Sequence, residues 1–303
     1  MRLWQARLVP EAKPYKGFHR LQGVEVVPLS VLVQTMAAAA AELGDHGLTG
    51  LRLEQPVVVD QPRLVQVIAD GDSLTLASSA AATPDRWVRH VSAQRAPGRP
   101  ASEPLPTVAH TAATDPERRA VEQMVDSWGV EGKPYDWDIE TLAFAPGAVT
   151  GQVRLGEPTL VGLVDAAVHL GRLADRGNLG LMVPSAIESL WLAEGFSDTR
   201  GDVVARRRGE ASGDLVVDIT ARGADGTVVA ELRGVTFADI EAAPTRRHTA
   251  DPAAIAHTID WQPWTTHTDR AIDPGGLVVL GGPPAERARL RDRYSRLGCP
   301  PAT

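Results

Sequence analysis

His19, Gly23 and Pro28 lie within ten residues of one another, and far down the chain Asp165 and His169 stand at positions i and i+4. A neutral imidazole is a base, and a carboxyl kept away from water can stay protonated and serve as an acid. On a helix, Asp165 and His169 share one face. A base and an acid on opposite walls of one cleft are the groups needed to take a proton from the carbon next to a thioester and to protonate a hydroxyl leaving from the β carbon. On this reading His19 takes the α-proton, Asp165 protonates the departing hydroxyl, and His169 orients Asp165. A backbone N–H near Gly23, where no side chain obstructs approach, would stabilise the charge that the carbonyl gains.

These residues need elements to hold them. Arg2 to Val9 alternates as a strand, Pro10 to Gly17 is a loop that delivers His19, and Gly23 to Val27 is a short strand. Pro28 opens a helix, where its missing donor costs nothing, and Gly44 stops that helix after Leu43. Val31, Leu32, Met36 and Leu43 spread widely round its axis, so the helix is expected to be buried on most sides. Strands are predicted at Gly50 to Gln55, Arg63 to Asp70, Ser73 to Ser79 and Trp87 to Gln94, with turn residues between them.

Residues 97–116 are rich in proline and read as a linker. Beyond them the pattern starts again over 117–243. Strands are predicted at Asp138 to Phe144 and Thr150 to Leu155, then a helix from Thr159 to Ala174. Further strands follow at Ala186 to Leu192, Asp202 to Arg208, Leu215 to Ala221 and Val228 to Phe237. The repeated order suggests a duplicated fold, each copy an antiparallel sheet wrapped round one long helix. Residues 244–303 read as a second linker, then a strand at Gly276 to Leu280 and a basic amphipathic helix at Glu286 to Leu297, the truncated opening of an α/β domain.

Composition narrows the function classes. A net charge of −7 over 303 residues gives no reason to expect nucleic acid or an anionic membrane as partner. Cys299 is the only cysteine, which excludes an internal disulfide framework and a cysteine-rich metal site and suggests a cytoplasmic protein. The first 18 residues lack the apolar core of a signal peptide, and no run of 18 apolar residues occurs. His90, His110, His248, His257 and His267 fall at strand ends or in linkers without ligand spacing, so no metal is expected. Arg206 to Arg208 reads as a solvated strand end, or else as a surface for an acidic partner. No phosphate-binding loop or dinucleotide fingerprint is present.

His19, Gly23 and Pro28 resemble the HxxxGxxxxP motif of polyketide synthase dehydratase domains, and Asp165 with His169 resembles their DxxxQ/H motif. The resemblance covers residues 1–243 and implies a double-hotdog fold in the α+β class, with hotdogs at 1–96 and 117–243. It makes Val183 to Ala186 similar to the family's proline-bearing strand, with Pro184 beside the substrate. The runs Lys13 to His19, Val24 to Pro28 and Gln61 to Val67 are most similar to iterative synthases of the 6-methylsalicylic acid type, whose bacterial members make aromatic acids. In that type, residues 244–303 resemble the lead-in to a ketoreductase. The family's GYxxGPxF segment is missing, and Gly132-Lys-Pro-Tyr135-Asp-Trp137 takes its place, so Tyr135 and Trp137 join Gly23, Pro28 and Pro184 as expected substrate contacts.

The resemblance further implies a substrate carried on the phosphopantetheine of an acyl carrier protein, no cofactor of the domain's own, and a homodimer within the synthase. Two alternatives stay open: a thioester hydrolase that releases product with the same histidine, and a non-catalytic scaffold that docks carrier proteins or dimerises the synthase.

Overall fold

The computed structural model describes residues 1–99, 105, 111–112, 129–175, 181–209 and 214–239. These belong to one unit spanning Met1–His248. The strand predicted at 276–280 and the helix predicted at 286–297 lie outside the described residues, as do His110, His248, His257, His267 and Cys299.

The first repeat runs β1 (Arg2–Leu8), a 3-10 turn at Pro10–Ala12, β2 (Arg20–Leu21), β3 (Val24–Glu25), α1 (Leu29–Ala41), β4 (Gly47–Leu53), β5 (Arg63–Asp70), β6 (Ser73–Ala80) and β7 (Trp87–Ala96). After β8 (Thr111–Ala112) and β9 (Val130–Glu131) the second repeat runs β10 (Trp137–Ala145), β11 (Ala148–Leu155), α2 (Leu160–Arg172), β12 (Met182–Leu192), β13 (Arg200–Arg207), β14 (Leu215–Gly223) and β15 (Val228–Asp239). This is a double hotdog. Each long helix is wrapped by antiparallel strands, α1 against β4, β6, β7 and β12, and α2 against β10, β11, β13, β14 and β15.

The two sheets are not separate. β4 pairs with β12, Leu51 opposite Ile187 and Leu48 opposite Leu190, so twelve strands run continuously in the order β1-β5-β6-β7-β4-β12-β15-β14-β13-β11-β10-β8. A second, three-stranded sheet of β3, β2 and β9 joins the repeats again beside His19.

Local chemistry explains the elements. Thr159 caps α2, its hydroxyl oxygen accepting the Gly162 N–H at 3.3 Å. Pro28 is the residue before α1, extended at φ −61°, and its carbonyl accepts from Val31 and Leu32. The apolar residues round α1 bury Val33, Met36 and Ala40, and those of α2 bury Leu163, Val164, Ala166, Ala167 and Leu170. Gly171 is required where α2 meets the sheet, because a Cβ there would lie 2.6 Å from the Ile219 side chain.

Some sequence boundaries shift for identifiable reasons. The strand expected from Gly50 begins at Gly47, since Gly50 at φ +59° sits in an irregularity between Thr49 and Arg52 and does not start the strand. The strand expected from Ala186 begins at Met182 and contains Pro184, tolerated because the pairing slips between Pro184 and Ala186. Within the predicted linker, Thr111–Ala112 pairs with β10. His90 lies inside β7 and is buried, not at a strand end. Arg206 to Arg208 closes β13, with Arg206 and Arg208 exposed, Arg207 paired with Asp175 at 3.5 Å and Arg208 with Asp218 at 2.7 Å.

Candidate active site

His19, Asp165, His169 and Pro184 line one cavity of about 440 Å³, together with Ser30 and Arg172 among apolar side chains. That volume is in the range of acyl-sized ligand sites. The cavity lies where the two repeats meet.

His19 follows a loop pinned on several sides. Lys13 pairs with Glu25 at 2.6 Å, and Glu25 also accepts the His19 backbone N–H at 3.4 Å. The Val26 carbonyl faces both the Tyr15 hydroxyl, at 3.3 Å, and His19 Nδ1, at 3.4 Å. A carbonyl can only accept, so Nδ1 carries the hydrogen and Nε2 is left as the basic nitrogen. Burial lowers the His19 pKa below its ordinary 6.5, and the charge of His169 lowers it further, against the opposing pull of Asp165. The imidazole is therefore neutral at physiological pH. Burial and the nearby Glu25 push the Tyr15 phenol up, which keeps it a hydrogen-bond donor.

Asp165 comes from the buried face of α2 and is only 3% exposed. Both of its carboxyl oxygens are engaged: Ser30 Oγ lies 3.1 Å from Oδ1, and Trp137 Nε1–H donates to Oδ2 at 3.0 Å. Ser30 is on α1, so the bond ties the two central helices together.

His169 does not orient this carboxyl in the way the i, i+4 spacing suggests. Its Nδ1 donates to the Asp165 backbone carbonyl at 2.8 Å, while Oδ2 is 3.7 Å away. Helical side chains lean back toward the N-terminus, onto the carbonyl of the preceding turn. His169 does pack against Trp137, with ring centroids 5.4 Å apart.

Four expected substrate contacts are placed elsewhere. Gly23 is exposed in the β2–β3 turn, where Gln22 at φ +49° and Gly23 at φ +79° give the left-handed pair of a type I′ hairpin. It does not line the cavity, and its glycine serves the turn. Pro28 is buried as the helix start. Tyr135 donates its hydroxyl to the Pro14 carbonyl at 3.3 Å, outside the cavity, and burial together with the charge of Asp165 pushes its pKa up. Trp137 is buried behind Asp165.

The glycine that permits close approach is Gly17. Its N–H donates to the Pro134 carbonyl at 3.1 Å, and a Cβ there would overlap the Lys133 carbonyl oxygen. Sequence reasoning also passed over Ser30, whose one visible signal was a lone hydroxyl among the apolar residues that open an alanine-rich helix. Arg172 was missed too, although it continues the Asp165 and His169 face at i+7. Its guanidinium donates to the Asp175 carbonyl at 2.9 Å, and burial lowers its pKa. Among the described residues no group of three or more His, Cys, Asp or Glu could hold a metal ion.

A histidine from one repeat and a carboxyl from the other thus line one cavity of a double hotdog. Residues 1–82 match the family described as "Polyketide synthase dehydratase domain", and residues 150–247 match "Polyketide synthase dehydratase N-terminal domain". The chain belongs to the polyketide synthase dehydratase family. It is 34% identical to a phenolphthiocerol/phthiocerol polyketide synthase polypeptide of Mycobacterium tuberculosis, over 99% of this chain and 18% of that protein. It is 26% identical to 5-methyl-1-naphthoate synthase of Streptomyces sahachiroi over 93% of this chain, and 24% identical to 6-methylsalicylic acid synthase of Aspergillus niger over 86%. The chain thus spans less than a fifth of the length of these relatives, 18%, 17% and 15% respectively.

Among solved structures, GphF dehydratase 1 superposes with a TM-score of 0.64 at 17% identity, over 78% of this chain and 93% of that one. The dehydratase domain of RzxB from Pseudomonas fluorescens gives a TM-score of 0.61 at 18% identity over the same shares.

Proposed function

We propose that the domain removes water from a β-hydroxyacyl thioester carried on the phosphopantetheine of an acyl carrier protein, within an iterative type I polyketide synthase. The observation that carries this reading is a neutral histidine and a carboxyl from opposite repeats lining one apolar, acyl-sized cavity. His19 Nε2 takes the α-proton and Asp165 supplies a proton to the β-hydroxyl as it leaves. The largely apolar lining strengthens the electrostatic interactions of the base and the acid with the reacting atoms.

Resemblance to the 6-methylsalicylic and naphthoate synthases supports an aromatic, iterative context, although identity to the mycobacterial synthase is higher. The match over 99% of the chain also fits reading residues 244–303 as a lead-in to the next domain of a synthase.

Incubating the domain with a β-hydroxyacyl carrier protein should give an enoyl product lighter by one water, seen by mass spectrometry of the carrier. His19→Phe and Asp165→Asn should each abolish it. Free acid released in a His19-dependent way would replace this reading with thioester hydrolysis. Unchanged product from a full synthase bearing His19→Phe would leave only the scaffold role.

A further inference from the structure

The two oxygens of Asp165 are held by donors of different kinds and on different sides. Trp137 is buried and does not line the cavity, whereas Ser30 does. Oδ1 lies 3.1 Å from the hydroxyl of the cavity-lining Ser30, while Oδ2 sits between the buried indole, 3.0 Å away, and the His169 ring, whose Nδ1 is 3.7 Å away and bonded to a backbone carbonyl. An indole only donates, so Oδ2 always accepts from it, whereas the Ser30 hydroxyl can donate or accept and suits Oδ1 both with and without the acidic hydrogen. Oδ1 has two lone pairs. One can receive the Ser30 O–H while the other bears the acidic hydrogen.

We infer that Ser30 is a positioning residue, presenting Oδ1 of Asp165 to the cavity as the oxygen that delivers the proton and stabilising the charge left on it. The inference rests on the reading of Asp165 as the acid. In that step His19 Nε2 takes the α-hydrogen, and the C–H electrons form the new Cα=Cβ bond. The Cβ–O bond breaks, and its oxygen takes the Oδ1 hydrogen and departs as water. The site is left with an imidazolium and a carboxylate, and proton return from His19 to Asp165 resets it. As Oδ1 becomes anionic its hydrogen bond from Ser30 becomes charge-assisted and stronger. An interaction that strengthens along the reaction lowers the barrier without tightening substrate binding, so the effect belongs in kcat.

The test compares Ser30→Ala, Ser30→Thr and Asp165→Asn on two carrier-bound substrates, a β-hydroxyacyl and a β-fluoroacyl thioester. Fluoride leaves as an anion and needs no proton at the moment of departure. With the hydroxy substrate, Ser30→Ala should lower kcat about ten- to hundredfold with KM little changed, the range for losing one hydrogen bond to a charged group. Ser30→Thr, which keeps the hydroxyl, should recover most of that loss. With the fluoro substrate the Ser30→Ala defect should shrink to about threefold or less on the same scale.

Equal defects on both substrates, or no defect on either, would overturn the inference, the first pointing to a structural role only. If Ser30→Ala does not fold, Ser30→Thr against Ser30→Cys makes the same comparison, because a thiol is a weak donor of similar size. Asp165→Asn separates the two failures. Full activity of Asp165→Asn on the hydroxy substrate sinks the acid reading itself, whereas an inactive Asp165→Asn beside an unimpaired Ser30→Ala sinks only the role of Ser30.

Discussion

At the scale of single residues, the chemistry depends on how two side chains are held. His19 is kept neutral by burial and by the neighbouring charge of His169, with its hydrogen fixed on Nδ1 by a carbonyl. Because protonation removes the base, activity should fall as pH drops through a value below 6.5. The acid limb of the kcat/KM profile, measured on a β-hydroxyacyl carrier protein, should lie below that value; a limb above it would contradict the electrostatics. Trp137 offers a second check. If it supports Asp165 from behind and does not touch substrate, Trp137→Phe should lower kcat roughly tenfold, as for loss of one hydrogen bond to a buried charged group, and leave KM within about twofold. A large rise in KM would restore the expected substrate contact.

At the scale of elements, the site is made where segments of the two repeats are tied together. The loop before β2 meets the backbone of residues 133–134 through Gly17, β2 pairs with β9, and α1 meets α2 through Ser30 and Asp165. Gly17 and Gly23 look alike in the sequence but do different work. Gly17→Ala should force the two segments apart, costing about 1–3 kcal/mol of stability as overpacking does and displacing His19 enough to remove most activity. Gly23→Ala meets nothing within 4 Å and carries only the cost of a left-handed backbone, about 1 kcal/mol, with activity retained. Thermal melts and turnover of the two variants, side by side, check this order.

Across the unit that holds the described residues, a twelve-stranded sheet and a small three-stranded one pack with two helices, and the polar interior adds a pH dependence. His90 is buried in β7, its Nδ1 3.0 Å from the Gln55 carbonyl and its Nε2 2.8 Å from Ser78 Oγ, and burial lowers its pKa as it does for His19. Both histidines take up protons more readily in the unfolded chain than in the folded one. Stability is therefore greatest above pH 6.5 and declines as pH falls below it. Denaturant midpoints at pH 7.5 and 5.5 should differ in that direction, and His90→Gln should reduce the difference. The homodimer that the sequence resemblance implies is checked by sedimentation velocity, where twice the monomer mass is expected. No helix among the described residues is long and apolar enough to cross a membrane.

Start and stop residues together with periodicity placed both long helices to within two residues at each end and located the main strands, because turn chemistry and 3.6- and 2-residue patterns are local properties of the chain. Residue type and spacing likewise singled out His19 and Asp165 and suggested a duplicated fold. What stayed hidden was everything that depends on a partner far away. Ser30 and Asp165 are 135 positions apart, and nothing near either one names the other. The pairing of β4 with β12, which merges two sheets into one, involves strands whose sequences fit any antiparallel neighbour. His169 followed its own backbone instead of the carboxyl one turn away, and the close-approach glycine proved to be Gly17, since only packing reveals which backbone passes within reach. Local physics fixed the candidate groups and the elements that carry them. Only the assembled structure set Ser30 and Trp137 against the two oxygens of Asp165 and showed which of the expected contacts stand apart from the cavity, because those contacts join residues far apart in the chain.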